Sequence, residues 1–86
     1  MMKFLESIIN MKLNGIQGHE LKQIAKQYGV FLSSEEAEAI AFKLRGKNYN
    51  IFNPTQRKEV VNQISAIVGT NKAKQIENVF LSMTGR

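Results

Sequence analysis

The chain has 86 residues, a net charge of +5, no cysteine and no tryptophan, and all seven of its acidic residues are glutamates. A length of this order gives one domain, burying roughly 60–65% of the unfolded surface, while the lack of cysteine excludes disulfides and thiolate metal sites. With 43% hydrophobic and 22% charged residues, the composition is that of a folded protein and not of a disordered one.

The charge is unevenly placed. Residues 1–43 hold five basic and five acidic side chains, whereas residues 44–86 hold seven basic ones against Glu59 and Glu77. The N-terminal MMKFLESIINMKL does not read as a signal peptide, because Glu6, Asn10 and Lys12 interrupt its apolar run. No apolar stretch approaches the roughly 18–20 residues of a membrane span, so a soluble cytoplasmic protein is expected.

Five helical patterns follow one another. The first is expected from about Met2 to Leu13, with Phe4, Leu5, Ile8 and Ile9 as its buried stripe and Asn14-Gly15 ending it. The second runs from about Gly18 to Tyr28 and buries Leu21, Ile24, Ala25 and Tyr28. Gly29 then supplies a left-handed residue, and Val30 can fold back on Ala25 as in a Schellman ending.

The third pattern carries the clearest start signal. Ser33 and Glu36 have the spacing of a capping box, Leu32 and Ala37 that of a hydrophobic staple, and Ala37, Ile40, Ala41 and Leu44 form the stripe. Glutamates in its first turns and Lys43, Arg45 and Lys47 near its end complement the helix dipole.

The fourth helix opens with NPTQ: Asn53 as cap, Pro54 at the first helical position, and Gln56 placed for a second capping box. Its stripe is Val60, Val61, Ile64, Ile67 and Val68. The fifth, from about Asn71 to Met83, presents Ala73, Ile76, Phe80 and Met83. Short connections force neighbours to fold back on one another, so the fold class is all-α, a single compact bundle of four to five short helices over residues 1–86.

Little here supports catalysis. A Ser-His-Asp triad and a cysteine nucleophile are both excluded by composition. The single histidine, His19, has Gln23 at i+4 and no ligand partner in sequence, so no metal and no cofactor is expected. The six glycines are isolated at helix boundaries, so no phosphate-binding loop is present. A helix-turn-helix across residues 21–44 is disfavoured, since its recognition helix would open with SSEEAE, placing three glutamates near phosphates.

The remaining candidate surface is KLRGKNYNIFNPTQRK, Lys43 to Lys58, with five basic residues and no acid. Lys43, Arg45, Lys47, Arg57 and Lys58 could meet phosphates, with Tyr49 or Phe52 offering a face to a base. The competing reading is structural: Arg45 and Lys47 suit a helix end, Ile51 and Phe52 an anchor in the core, and Tyr49 stays open. Arg57 and Lys58 stand out, because cations in a helix's first turns oppose its dipole.

Phe42 is the other unusual residue. It points away from the stripe of its own helix, toward either a partner surface or a further helix packed on that side. Two readings remain. The leading one is a non-enzymatic protein–protein interaction module, possibly homodimeric, contacting its partner through Phe42 and Tyr49 with a basic rim. The alternative is a nucleic-acid-binding protein with weak sequence preference. No small-molecule substrate and no membrane partner is inferred.

The segments FLESIINMKLNGIQGHELKQIAKQYG and EEAEAIAFKLRGKNYNIF, with LRGKN and NIF as their most distinctive parts, resemble the small uncharacterised YqfT-like family of Bacillus-type Gram-positive bacteria. The resemblance covers nearly the whole chain. It implies a short, non-secreted cytoplasmic bacterial protein, and it brings no assigned activity or functional residue.

Overall fold

The structure is a computed structural model that describes residues 2–83. Its elements are α1 (Met2–Asn14), α2 (Gly18–Gln27), α3 (Ser34–Leu44), α4 (Pro54–Val68) and α5 (Thr70–Ser82). No strand occurs among the described residues, so the chain is an all-α bundle of five short helices.

The third helix is the centre. It packs against α2 on one side and α4 on another, with α1 laid across it, while α5 is held mainly by α4. Ala37, Ile40, Ala41 and Leu44 are all buried, the stripe expected from spacing. Two alanines in that stripe let the neighbouring helices approach closely, and Ile40 and Leu44 fill the space between them. Its start is the expected capping box: Glu36 N donates to Ser33 Oγ at 3.0 Å and Ser33 N donates to Glu36 Oε1 at 2.9 Å. The staple residues Leu32 and Ala37 are both in the core.

The end of α2 is a Schellman motif. Val30 N donates to Ala25 O at 2.9 Å and Gly29 N to Lys26 O at 3.0 Å, with Gly29 at φ +84°. Tyr28 belongs to the exposed set, contrary to its place in the expected stripe, because the chain has already left the helix there. Between α4 and α5 a single residue, Gly69 at φ +89°, ends one helix and starts the next. A Cβ is disfavoured in that region of backbone space, so glycine permits this one-residue connection.

Two expectations need correction. In α1 the buried residues are Ile9 and Leu13, whereas Phe4, Leu5 and Ile8 lie outside with Met11. The helix is apolar on two sides, and the side that includes Leu13 is the one flanked by Asn10 and Asn14, which bond the segment between α3 and α4. In α4, Asn53 Oδ1 caps as expected, accepting from Thr55 N and Gln56 N at 3.0 and 3.1 Å. Gln56, however, does not return a bond to Asn53; its Oε1 accepts from Asn50 N at 2.8 Å.

Candidate functional site

The segment between α3 and α4 is held by α1 through two asparagines one turn apart. Asn14 accepts from Gly46 N through its carbonyl at 2.9 Å and from Asn48 N through Oδ1 at 2.8 Å. Asn10 accepts from Ile51 N at 3.1 Å and donates from Nδ2 to Asn50 Oδ1 at 2.9 Å. Asn48 takes φ 55°, a left-handed conformation that asparagine tolerates. Ile51 is fully buried and Phe52 packs half-buried against the core, so the loop is pinned at its middle. These four polar contacts bridge 32 to 41 positions of sequence, and nothing local in the sequence signals them.

The five basic side chains proposed from sequence fall into two groups. Arg45 is half-buried: Nη1 donates to Ile16 O at 3.1 Å and Nη2 to Glu38 Oε2 at 2.7 Å. The guanidinium beside Glu38 is the main reason that carboxyl titrates below its ordinary range, with burial opposing the shift. Glu38 also accepts from Gly18 N at 3.0 Å, so Arg45 and Glu38 together tie the start of α2 to α3.

Arg57 corrects the argument made for it. Its Nε donates to Glu77 Oε2 at 3.1 Å and its Nη1 to Ile51 O at 3.1 Å, with both charged side chains mostly covered. A cation in the first turn of α4 is therefore tolerated because a carboxylate from α5 faces it. Both arginines brace loops from within. Lys43, Lys47 and Lys58 are exposed and form no ion pair among the described residues.

Tyr49 is half-buried against the core, and its hydroxyl accepts from Gln63 Nε2 at 2.8 Å. That bond ties the segment between α3 and α4 to the fourth helix. Phe42 is the reverse case, with 65% of its surface exposed on the outer side of α3. It lines a shallow groove of about 690 Å³ with Ala39 and Ile67, edged by Glu35, Glu38 and Lys43. That edge is of mixed sign, which corrects the expected basic rim. The fifth helix lies elsewhere and leaves Phe42 uncovered.

The start of α3 is occupied as well. Lys72 of α5 donates to Phe31 O at 3.0 Å and approaches Glu36 Oε1 at 3.8 Å. His19 is exposed beside Lys22, Gln23 and Lys26, and no cluster of three metal-capable groups occurs among the described residues. No described helix is long and apolar enough to cross a membrane.

The site thus belongs to a small all-α bundle with structural arginines and apolar side chains left outside. Residues 1–84 match the family described as "Protein of unknown function (DUF2624)", and the chain belongs to that family. It is 32% identical over 83 residues to the "Uncharacterized protein YqfT" of Bacillus subtilis (strain 168), covering 96% of this chain and 99% of that one. No solved structure matches.

Proposed function

We propose that this protein is a small non-catalytic protein–protein interaction module that acts in the cytoplasm. The observation that carries the reading is Phe42, exposed by 65% on a helix whose opposite stripe is wholly buried. A phenylalanine in water forgoes a large burial gain, and here Ala39 and Ile67 extend it into an apolar groove that a partner's side chain could fill. Glu35 and Lys43 at its edge give such a partner both signs of charge to match, Glu38 being already held by Arg45 and the Gly18 amide.

The alternative, nucleic-acid binding, draws support from the exposed Lys43, Lys47 and Lys58 and from the charge excess of the second half. It loses the two arginines best suited to phosphates, since both already serve carboxylates and carbonyls inside the fold.

Fluorescence anisotropy with labelled single-stranded RNA, single-stranded DNA and duplex DNA separates the two readings. The interaction module predicts binding that is absent, or that vanishes between low and physiological salt as counterions are released. Micromolar binding that survives physiological salt, and that falls on reversing Lys43, Lys47 and Lys58, would replace the module with a nucleic-acid-binding protein.

A further inference from the structure

α1 is a helix with two apolar sides and a body that covers only one. Ile9 and Leu13 face α3 and the core, while Phe4, Leu5, Ile8 and Met11 are exposed by 70%, 42%, 47% and 75%. An apolar side of a helix is normally covered by another element. Tyr28, Phe31 and Phe42 are also exposed, but they sit on different segments, whereas among the described residues four of the seven large exposed apolar side chains share this one helix.

We infer that the outer face of α1 is the contact by which two copies of this chain associate, with α1 lying antiparallel on its symmetry mate. This goes beyond the interaction reading above, which rests on Phe42, by naming a second surface and its occupant. The spacing supports it: Phe4, Ile8 and Met11 follow the four-then-three rhythm of a coiled-coil seam, with Leu5 beside it. In an antiparallel two-fold pairing Phe4 meets the mate's Met11, and Ile8 lies next to the axis, so the same patch serves both copies.

Charge also selects a second copy. Each chain carries +5, concentrated in residues 44–86, so two copies repel most strongly through that half. The α1 face escapes the repulsion. Within the helix Lys3 and Glu6 balance in charge, Lys12 is held by Glu20 at 3.6 Å, and Ser7, Asn10 and Asn14 are neutral. An acidic partner would be drawn to residues 43–58 instead. A lipid surface favours an apolar helix with a face rich in lysines and arginines, whereas this helix carries two lysines against Glu6, and Lys12 is already paired with Glu20.

The area sets the strength. At the exposures given, the four side chains offer on the order of 400 Å² of apolar surface per chain, hence on the order of 800 Å² for the pair before the rim contributes. Specific interfaces bury about 1,200–2,000 Å², so the dimer is a weak one, in the micromolar range or above.

The test is sedimentation equilibrium of the full chain up to on the order of 0.5 mM, a ceiling set by that weak-interface range. The expected result is a concentration-dependent dimer. Ile8→Glu should raise its dissociation constant at least about tenfold, the effect of burying a charge at an interface centre, and Phe42→Ser should leave it unchanged. Because the chain has no cysteine, Ile8→Cys gives an independent readout that does not depend on how the glutamate variant folds. It should form a covalent dimer on mild oxidation, and Phe42→Cys should not.

A chain that stays monomeric at the highest concentration, with Ile8→Cys uncrosslinked, would overturn the inference while leaving the Phe42 interaction reading standing. A dimer abolished by Phe42→Ser and unaffected by Ile8→Glu would move the contact from α1 to the Phe42 groove. Pelleting of the monomer with vesicles of anionic and neutral phospholipid, lost in Ile8→Glu, would reassign the face to a membrane surface.

Discussion

Gly18 and Glu38 are fitted to one another at the junction of α2 and α3. The Gly18 amide donates to Glu38 Oε1 at 3.0 Å, and a Cβ placed on Gly18 would stand 2.8 Å from the Glu38 Cα and 2.6 Å from Oε1. The Glu38 backbone cannot step aside without moving α3, the helix on which α1, α2 and α4 all pack. Gly18→Ala should therefore cost about 1–3 kcal/mol, the range of an overpacked site. Gly15 is the control, since nothing lies within 4 Å of its Cβ position and its φ is ordinary. Gly15→Ala should be neutral or slightly stabilising through the unfolded chain. Urea midpoints measure both, and equal midpoints for the two variants would contradict the close fit.

The same carboxylate makes stability depend on acid. Glu38 titrates below its ordinary value of 4.5, chiefly because Arg45 donates to it. Glu20 does so chiefly because the Gln17 amide donates to it. A carboxyl with a lowered pKa binds fewer protons in the folded than in the unfolded state near that pH, so it favours folding there. Its contribution is complete above the unfolded value of about 4.5 and is lost as pH falls through the lowered folded value. Unfolding midpoints measured from neutral pH downward should hold steady and then fall below that point. Glu38→Gln should make the fall shallower, and an unaltered curve would show that the Arg45 contact contributes nothing.

Arg57 and Lys58 are neighbours in sequence with opposite roles. Removing the Arg57 side chain leaves Glu77 without its cation and the Ile51 carbonyl without its donor, both in largely covered positions. Arg57→Ala should cost about 1–3 kcal/mol, the range for stranding hydrogen-bonding groups away from water. Lys58 is exposed and has no ion-pair partner among the described residues, and Lys58→Ala should stay within about 0.5 kcal/mol. Thermal melts of the two single variants decide it. Equal effects would mean that the Arg57 contacts are no stronger than ordinary surface pairs.

What was legible in the sequence was local. The Ser33–Glu36 capping box, the Gly29 ending and the Asn53-Pro54 start involve residues within a few positions of each other, and each took its expected form. The stripe of α3 was readable because only one side of that helix is continuously apolar. α1 was misread for the converse reason: it offers two apolar sides, and the choice between them depends on Asn10 and Asn14 reaching a loop more than 30 positions away. The basic residues show the same limit. Arg45 and Arg57 each have one partner nearby, Glu38 and Ile51, at spacings that mark no helical pair, and one far off, Ile16 and Glu77, 29 and 20 positions away. The spacing of α3 shows that Phe42 points away from the buried stripe, but its 65% exposure depends on where α5 comes to rest.

Phe42 and Ile40 allow that last point to be measured. They are two residues apart on α3, similar in hydrophobicity, yet Ile40 is wholly buried and Phe42 is 65% exposed. If burial sets the energetic role, Ile40→Ala should cost about 2–5 kcal/mol through lost transfer energy and an unfilled cavity. Phe42→Ser, which removes more apolar surface, should change stability by no more than about 0.5 kcal/mol, because its ring is already in water. Chemical denaturation of both variants at low protein concentration, below any self-association, gives the comparison. A large loss for Phe42→Ser would make it a core residue in solution and remove the ground for a partner surface there. A near-zero change would leave a phenylalanine that the fold does not need, on a groove with Ala39 and Ile67 whose contribution must then lie in what it contacts.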